Sequence, residues 1–381
     1  MAYDKVVDST SLDSKLTQVA DAIRTKGNTS ADLQFPSGFI SAIQAIQTGT
    51  ELQIIVTVTS GATVTATKGS KVVSGTSVNG TCTLVVPEAG TWSVKATLNG
   101  QTSDTKNVAV VDSYAVTLLF VSSTLNNNEW SVIKSVSDAG QGANYWSIGD
   151  RKAVTLNGTV GQLTLSNYTT YAFIIGFNHN SSLEGANRIH FQLAKTALSG
   201  GTDVCFCDSA YDHPVRAAGS FSMKSVQNNY DGWASSQMRT NICGTSLSSY
   251  SGTIIAVIPA ALRAVLKSVT KYTDNTGGGS SAASNVSATT DYFFPLSEFE
   301  VFGSISYANT NEKSKQAQYA YYSAGNSKVK YKHDGTSIAV MWWLRSPSVN
   351  DSYNFVMVYT DGAVVSNNAG YSYGFAPGFC V

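Results

Sequence analysis

Along the chain the apolar positions change period once near residue 50. Leu12, Leu16, Val19 and Ile23 recur at i, i+4, i+7 and i+11, one stripe of an amphipathic helix, with Ser11 placed to cap its start and Gly27 to end it. After a turn at Pro36-Ser37-Gly38, Phe39, Ile40, Ile43 and Ile46 make a second, shorter stripe. Helices this short cannot bury both stripes by themselves. Two covers stay open: copies of the same segment or a larger particle, and equally the rest of the same chain. From Gln53 the period is two. Ile54, Val56 and Val58 alternate with Ile55, Thr57 and Thr59, and Val64-Thr65-Ala66-Thr67 follows a Ser60-Gly61 turn. Asn79-Gly80, between Val72–Val78 and Thr81–Val86, and Asn99-Gly100, after Thr91–Ala96, are dipeptides that favour tight hairpins. Strands at this spacing predict a small β-sandwich over residues 50–112.

Residues 113–381 predict one large domain of mixed character, so the chain reads as a multidomain, mostly β (α+β) protein in three parts, 1–49, 50–112 and 113–381. Tyr145–Asp150, Val154–Gly158 and Tyr171–Phe177 read as strands joined by Gly or Asn-Gly turns. Ala260–Leu266 after Pro259 is the best helix candidate, and Asn275–Ser281 reads as a flexible loop. The stretch over residues 342–381 is core at both ends: an aromatic pair with an Arg-Ser-Pro turn, Trp342 to Pro347, and an apolar strand, Gly374 to Val381. Between them Phe355–Tyr359 alternates, with Val356 and Val358 on one face and Phe355, Met357 and Tyr359 on the other. Asp361-Gly362 suits a hairpin return into Val364-Val365. With the valine face as core, Met357 and Tyr359 are presented outward beside the loops Ser348–Asn354 and Ser366–Tyr373. The expected result is one patch carrying Tyr353, Tyr359, Tyr371 and Tyr373 among small polar residues. Tyr, Ser, Gly and Asn are the chemistry of antibody binding loops, and aromatics dominate binding hot spots. For any single tyrosine, simply covering the hairpin is as good an account; four in one polar segment favour an interface.

Composition narrows the function. Lys+Arg and Asp+Glu are 25 each, so no net field argues for nucleic acid or an anionic membrane. Charged residues are 13%, against roughly 25% in an ordinary soluble domain, which leaves Ser, Thr, Asn and Gly to carry solubility, the habit of β-rich virion and cell-surface proteins. No apolar run approaches a membrane span, and Met1–Lys5 leads into no signal-peptide core. The five cysteines, Cys82, Cys205, Cys207, Cys243 and Cys380, are too few and scattered for a disulfide framework and read as reduced thiols.

Catalytic motifs are lacking: there is no Gly-x-Ser-x-Gly elbow, phosphate loop or His-Glu-x-x-His. His179, His190, His213 and His333 sit in unrelated contexts and read as surface or core residues. Cys205-Phe206-Cys207-Asp208 with Asp212 and His213 is the one cluster of metal-like ligands, and two thiols buried by strand alternation explain it better than zinc. The expectation is a binding protein, not an enzyme, with no cofactor and no metal.

The series Tyr145–Asp150, Phe173–Phe177, Pro259–Leu266, Leu296–Gly303, Trp342–Pro347 and Gly374–Phe379 resembles a bacterial and phage domain with a C-type-lectin-like fold. The run Gly61–Ala66 resembles immunoglobulin-like or transthyretin-like spacers of surface and phage proteins, and Val19–Gly27 with Phe35–Phe39 resembles the N-termini of phage tail proteins. The terminal run resembles the variable proteins of diversity-generating retroelements, in which an adenine-templated mutator rewrites codons of a C-terminal cassette, here about 342–381, and spares the scaffold. That resemblance implies rewriting at Ser348, Asn350, Ser352, Tyr353, Met357, Tyr359, Asn367, Asn368, Tyr371 and Tyr373. Asn, Ser and Tyr codons interconvert through adenine changes; Met357 fits least. The Glu-Pro-Asn, Gln-Pro-Asp and Trp-Asn-Asp triplets of calcium-dependent lectins do not occur, nor does the reactive cysteine pair of the fold's formylglycine-generating relatives. The resemblance implies a phage or prophage tail receptor-binding protein, made in the bacterial cytoplasm and carried on the virion tail. Its N-terminus would join other tail proteins, and its head would bind a host cell-surface protein or glycan as a homo-oligomer, a trimer favoured. Neither nucleic acid nor membrane insertion is implied. The alternatives are a bacterial cell-surface binder and, behind it, a glycan-degrading tail enzyme, which needs paired carboxylates in a cleft.

Overall fold

The computed structural model describes residues 9–45, 51–214 and 217–381. Strand outweighs helix, 35% against 21%, as the dominance of period-two patterning requires. Two compact units divide the chain, Met1–Phe120 and Val121–Val381.

In the first unit α1 (Ser9–Gly27) and α2 (Ser37–Ala45) share a core of Ala20, Ile23 and Phe39, with Leu16, Leu33 and Ala42 half-buried beside it. Ser11 lies inside α1 and not at its cap. Gly27 does end it: Asn28 turns left-handed at φ 47° and Thr29 N–H closes on the Arg24 carbonyl. Ile46 lies outside the described residues. The sandwich follows as β1 (Gln53–Thr57), β2 (Thr63–Lys68), β3 (Lys71–Thr76), β4 (Thr81–Val85), β5 (Gly90–Leu98), β6 (Gln101–Thr102), β7 (Lys106–Val110) and β8 (Ser113–Thr117). One sheet runs β4-β1-β8; the other runs β3-β2-β5, with β6 and β7 both pairing along β5. Alternation does what it promised, sending Ile54, Val56, Val64, Ala66, Leu84, Trp92, Val94 and Val110 into one core. Both Asn-Gly turns form with positive φ at each residue. Asn99-Gly100 makes a true hairpin, Leu98 opposite Gln101. Asn79-Gly80 joins strands of different sheets, so their contact is a single bridge, Val78 to Thr81. Strand β8 pairs in parallel with β1, and Leu118 enters the same core, so this unit runs to Phe120, past the boundary expected at 112.

The second unit opens with α3 (Trp130–Asp138) and continues through β9 (Arg151–Val160), β10 (Leu163–Phe177), β11 (Ile189–Lys195), β12 (Val204–Cys205), β13 (Val269–Asp274), β14 (Val286–Asp291), β15 (Phe293–Phe294), β16 (Lys330–Lys332), β17 (Gly335–Val340), β18 (Trp342–Pro347), β19 (Asn354–Val358), β20 (Val364–Asn368) and β21 (Gly378–Cys380). Its main sheet is antiparallel in the order β15-β21-β11-β10-β9. Strand β21 sits between β11 and β15, and Phe379 packs there on Phe191, ring centroids 5.3 Å apart, and on Phe293 and Trp130. Smaller sheets are built from β12, β16 and β17, from β13 and β14, and from β18, β19 and β20.

Four local expectations are corrected. Tyr145–Asp150 is no strand: a helical turn, Gly142–Tyr145, leads into a loop where Asp150 accepts from Ser147 N–H and Gly149 takes φ 91°. Asn157-Gly158 lies within β9, and the turn into β10 falls at Gly161-Gln162. The helix after Pro259 is one turn, Ala260–Arg263. Asn275–Ser281 is a pinned loop. Gly277, Gly278 and Gly279 all take positive φ, Asp274 accepts from Thr276 and Gly277 N–H, and Asn229 accepts from Gly278 N–H. Glycine serves left-handed backbone geometry there, not flexibility.

Candidate functional site: the surface around Tyr353

The structure separates the ten cassette positions. Tyr353 and Tyr359 are exposed, at 57% and 44%, but they flank opposite ends of β19. The five residues of β19 lie between them, six steps along the strand, or roughly 20 Å. Tyr373 is buried, its ring edge-on to Trp343 and Tyr211 and stacked on half-buried Tyr371. The four tyrosines therefore do not form one patch. Met357 is fully buried and so is Phe355, because β19 is covered on both faces. Ser348 is buried too, its hydroxyl accepting from Asn350 N–H. Asn350 is exposed; Ser352, Asn367 and Asn368 are half-buried. Asn367 donates to the Tyr373 hydroxyl, and Asn368 accepts from Gly370 N–H. The Asp361-Gly362 turn forms, with Tyr359 and Ala363 hydrogen-bonded across it.

What gathers around Tyr353 is a loop cluster from three parts of the sequence. Asn229 is its pin. Buried completely, its amide donates to the carbonyls of Ser348, Asp351 and Asn354 while its oxygen accepts from Gly278 N–H. Its two N–H groups are thus shared among three carbonyls, and its oxygen holds a fourth backbone group. Asp351 caps the loop from within, accepting from the N–H groups of Tyr353 and Asn354 and from the Asn354 amide. Backbone pairs Asn229 to Ser352, Lys224 to Ala369 and Ala369 to Tyr353 tie segment 224–230 along the cassette. That segment brings Val226 and Tyr230 into the same cluster, 48% and 53% exposed. The Tyr230 ring lies against Gly278, where a Cβ would meet it at 2.7 Å. Sequence alone offers Asn228-Asn229-Tyr230 only as a fallback site, should the cassette tyrosines not bind, and leaves Val226 unmarked. Their signal is visible afterwards: Val226-Gln227-Asn228-Asn229-Tyr230 repeats the cassette's own polar-and-aromatic composition.

Beneath this cluster lies a buried ionic network that fixes β18. Arg345, read from sequence as part of a turn, is a fully buried strand residue. Its guanidinium makes a two-pronged bond to Glu300, a further bond to the Pro295 carbonyl, and a third to Thr273 Oγ1 at 2.8 Å. Lys271 donates to Glu300, Glu184 and the Tyr319 hydroxyl at 2.9, 2.7 and 2.8 Å. Two cations and two carboxylates balance. Burial alone would raise the Glu300 carboxyl, but Arg345 and Lys271 outweigh it and hold it well below the usual carboxylate range. Burial, with Lys271 close by, pushes His179 down to about 3 and His190 well below its ordinary value. Both rings are neutral, and among the described residues the Nε2 of each has no hydrogen-bond partner. Glu312 accepts from Ser346, Gln316 and Asp274 N–H, and burial pushes its carboxyl up to about 7.

His179, Glu184 and Glu300 place ligand atoms within 4.8 Å of one another, the geometry of a metal cluster. The Lys271 ammonium already bonds both carboxylates, so the chain supplies the cation itself. The Cys-x-Cys candidate is not assembled. Cys205 and Cys207 are buried, the Asp208 carboxylate is engaged by Phe221 N–H, Ala210 N–H and Ser372, and His213 is exposed. All five cysteines are free and buried.

A family described as a domain of unknown function (DUF6273) matches residues 216–381, less than half of the chain. The match takes in segment 224–230, the pinned glycine loop and the whole cassette. A comparison with curated proteins finds no match.

Proposed function

We propose that this protein is the receptor-binding protein of a phage or prophage tail, whose loop cluster around Tyr353 attaches to a host surface protein or glycan. One observation carries the reading: exposed Tyr353, Tyr230 and Val226 stand on loops fixed by buried Asn229, whose amide bonds four backbone groups. Rigid aromatic side chains on pre-ordered loops lose little entropy on binding, so they suit recognition. A C-type-lectin-like head is supported by β21 returning beside β11 in the sheet that β9–β11 open, leaving the long connection to build the small β18-β19-β20 sheet. The two-sheet unit before it supports an immunoglobulin-like spacer.

Retroelement diversification belongs to the same reading with a shorter set of positions. A rewritten residue must tolerate change, and Ser348, Met357 and Tyr373 are sealed in the core. Asn350, Ser352, Tyr353, Tyr359, Asn367, Asn368 and Tyr371 remain. A near-identical upstream repeat with a reverse-transcriptase gene beside it is expected in the genome; without them diversification fails, while attachment stands or falls separately.

Attachment is tested by binding of the purified chain to a panel of bacterial cells. Tyr230→Ala with Tyr353→Ala should weaken binding at least tenfold, each ring contributing on the order of 1–2 kcal/mol as a hot spot. Tyr359→Ala should leave it unchanged. Undiminished binding by the double variant removes the site from this cluster.

A further inference from the structure

We infer that Lys195 and Asp203 are a self-modification site, where amine and carboxyl condense into an internal amide that locks the loop between β11 and β12. Lys195 ends β11 and Asp203 precedes β12, and the two stand directly opposite each other in an antiparallel bridge. Thr196 N–H closes on the Thr202 carbonyl at 3.1 Å, and Tyr331 N–H holds the Asp203 carbonyl at 2.8 Å. The backbone thus keeps the two side chains together, with Lys195 Nζ in direct contact with Asp203 Oδ1. Groups held in this way react as if at very high concentration.

The surroundings favour the uncharged product. Lys195 is 4% exposed, and its Nζ lies 4.5 Å from the centre of the buried Phe173 ring and 5.3 Å from that of Tyr321. A second lysine, Lys330, lies over the same Phe173 ring at 5.6 Å, fully buried and with no hydrogen-bond partner among the described residues. Asp203 is the carboxylate whose charge acts on both lysines. Burial, with Lys330 adding to it against Asp203, brings Lys195 down to about 8. A lysine desolvated beside another cation is an activated nucleophile. An ion pair kept from water is costly, and the amide removes both charges.

The Tyr321 hydroxyl joins the two groups. It accepts from Lys195 Nζ at 2.9 Å and donates to Asp203 Oδ2 at 3.4 Å, a route for protons from nitrogen to that oxygen. One transfer leaves amine and carboxylic acid. Nζ then bonds to Cγ, a second N–H proton follows to Oδ2, and the Cγ–Oδ2 bond breaks to release water. Neither oxidant nor co-reactant is consumed. Asp203 also lines a cavity of about 610 Å³ with Thr202, Val329 and Tyr331, which gives that water a way out. Nothing in this step depends on what the Tyr353 cluster binds.

Peptide mass spectrometry of the purified, then denatured, full chain reads the bond. Trypsin does not cut after an acylated lysine, so residues 189–216 should emerge as one peptide, lighter than their sequence by one water. Fragmentation should place the loss on Lys195 and Asp203. Lys195→Arg keeps the cation and should restore both cleavage at 195 and the full mass. Tyr321→Phe should slow the appearance of the cross-link in freshly synthesised chain by roughly a hundredfold. An unchanged rate would overturn the proton route through that hydroxyl. Wild-type peptides 189–195 and 196–216 recovered separately at full mass overturn the inference itself.

Discussion

Tyr353 and Tyr373 share a residue type and a polar neighbourhood in sequence, yet one is 57% exposed and the other 1%. Denaturation should separate them. Tyr373→Ala removes a ring packed on Trp343 and Tyr211 and should cost roughly 3–5 kcal/mol, whereas Tyr353→Ala should cost about 0.5 kcal/mol or less. Equal losses would mean that the two burial assignments are wrong. Arg345→Met should cost on the order of 3–5 kcal/mol in urea titration, because it leaves buried Glu300 and Glu184 to share the one Lys271 cation. Glu312 gives a pH signature of its own. Its folded-state value is raised from 4.5 to about 7 by burial, so its neutral form contributes stability in full below 4.5. That contribution disappears as pH rises to about 7, a loss on the order of 3 kcal/mol. Glu312→Gln should flatten the change in unfolding free energy between pH 5 and 7.5, relative to the wild type. An unaltered slope would assign the dependence to another group.

At the level of elements, patterning succeeded wherever one face decides the structure. Leu16 and Ile23 place the α1 stripe, Ile54 and Val56 the first strand, and Asn99-Gly100 its hairpin, since each needs only local spacing and backbone conformation. Strand β19 failed that logic. Alternation assumes one wet face, but Phe355-Val356-Met357-Val358 is an unbroken apolar run, the mark of a strand covered on both sides. The Arg345–Glu300–Lys271–Glu184 network was out of reach for a different reason: its members come from positions 184 to 345 and meet only through tertiary packing. Asn229 is the same case, an unremarkable residue by spacing and a four-bond pin in space. Asn229→Ala takes the side-chain donor from three carbonyls, of which only Asn354 keeps a backbone partner, Ser348 N–H, among the described residues, an effect of about 1–3 kcal/mol. Hydrogen exchange should accelerate across residues 348–354 with the β9–β11 amides unaffected. Unchanged exchange in that loop would deny the side chain its role.

For the whole molecule, two units with separate apolar cores imply separate melting events. Calorimetry should resolve two transitions, and raising the pH from 5 to 7.5 should move only the one belonging to Val121–Val381, which contains Glu312. A single transition that shifts as one would show the units to be thermodynamically coupled. The sealed strand β19 has a consequence for how this protein can change. Substitution can accumulate at 350–353 on one side and at 359–363 on the other, while the positions between form a bar that evolution or an engineer must leave alone. A saturation library from 348 to 373, sorted for intact protein, would read as tolerant islands parted by that bar. Affinity selected on one island would carry no information about the other.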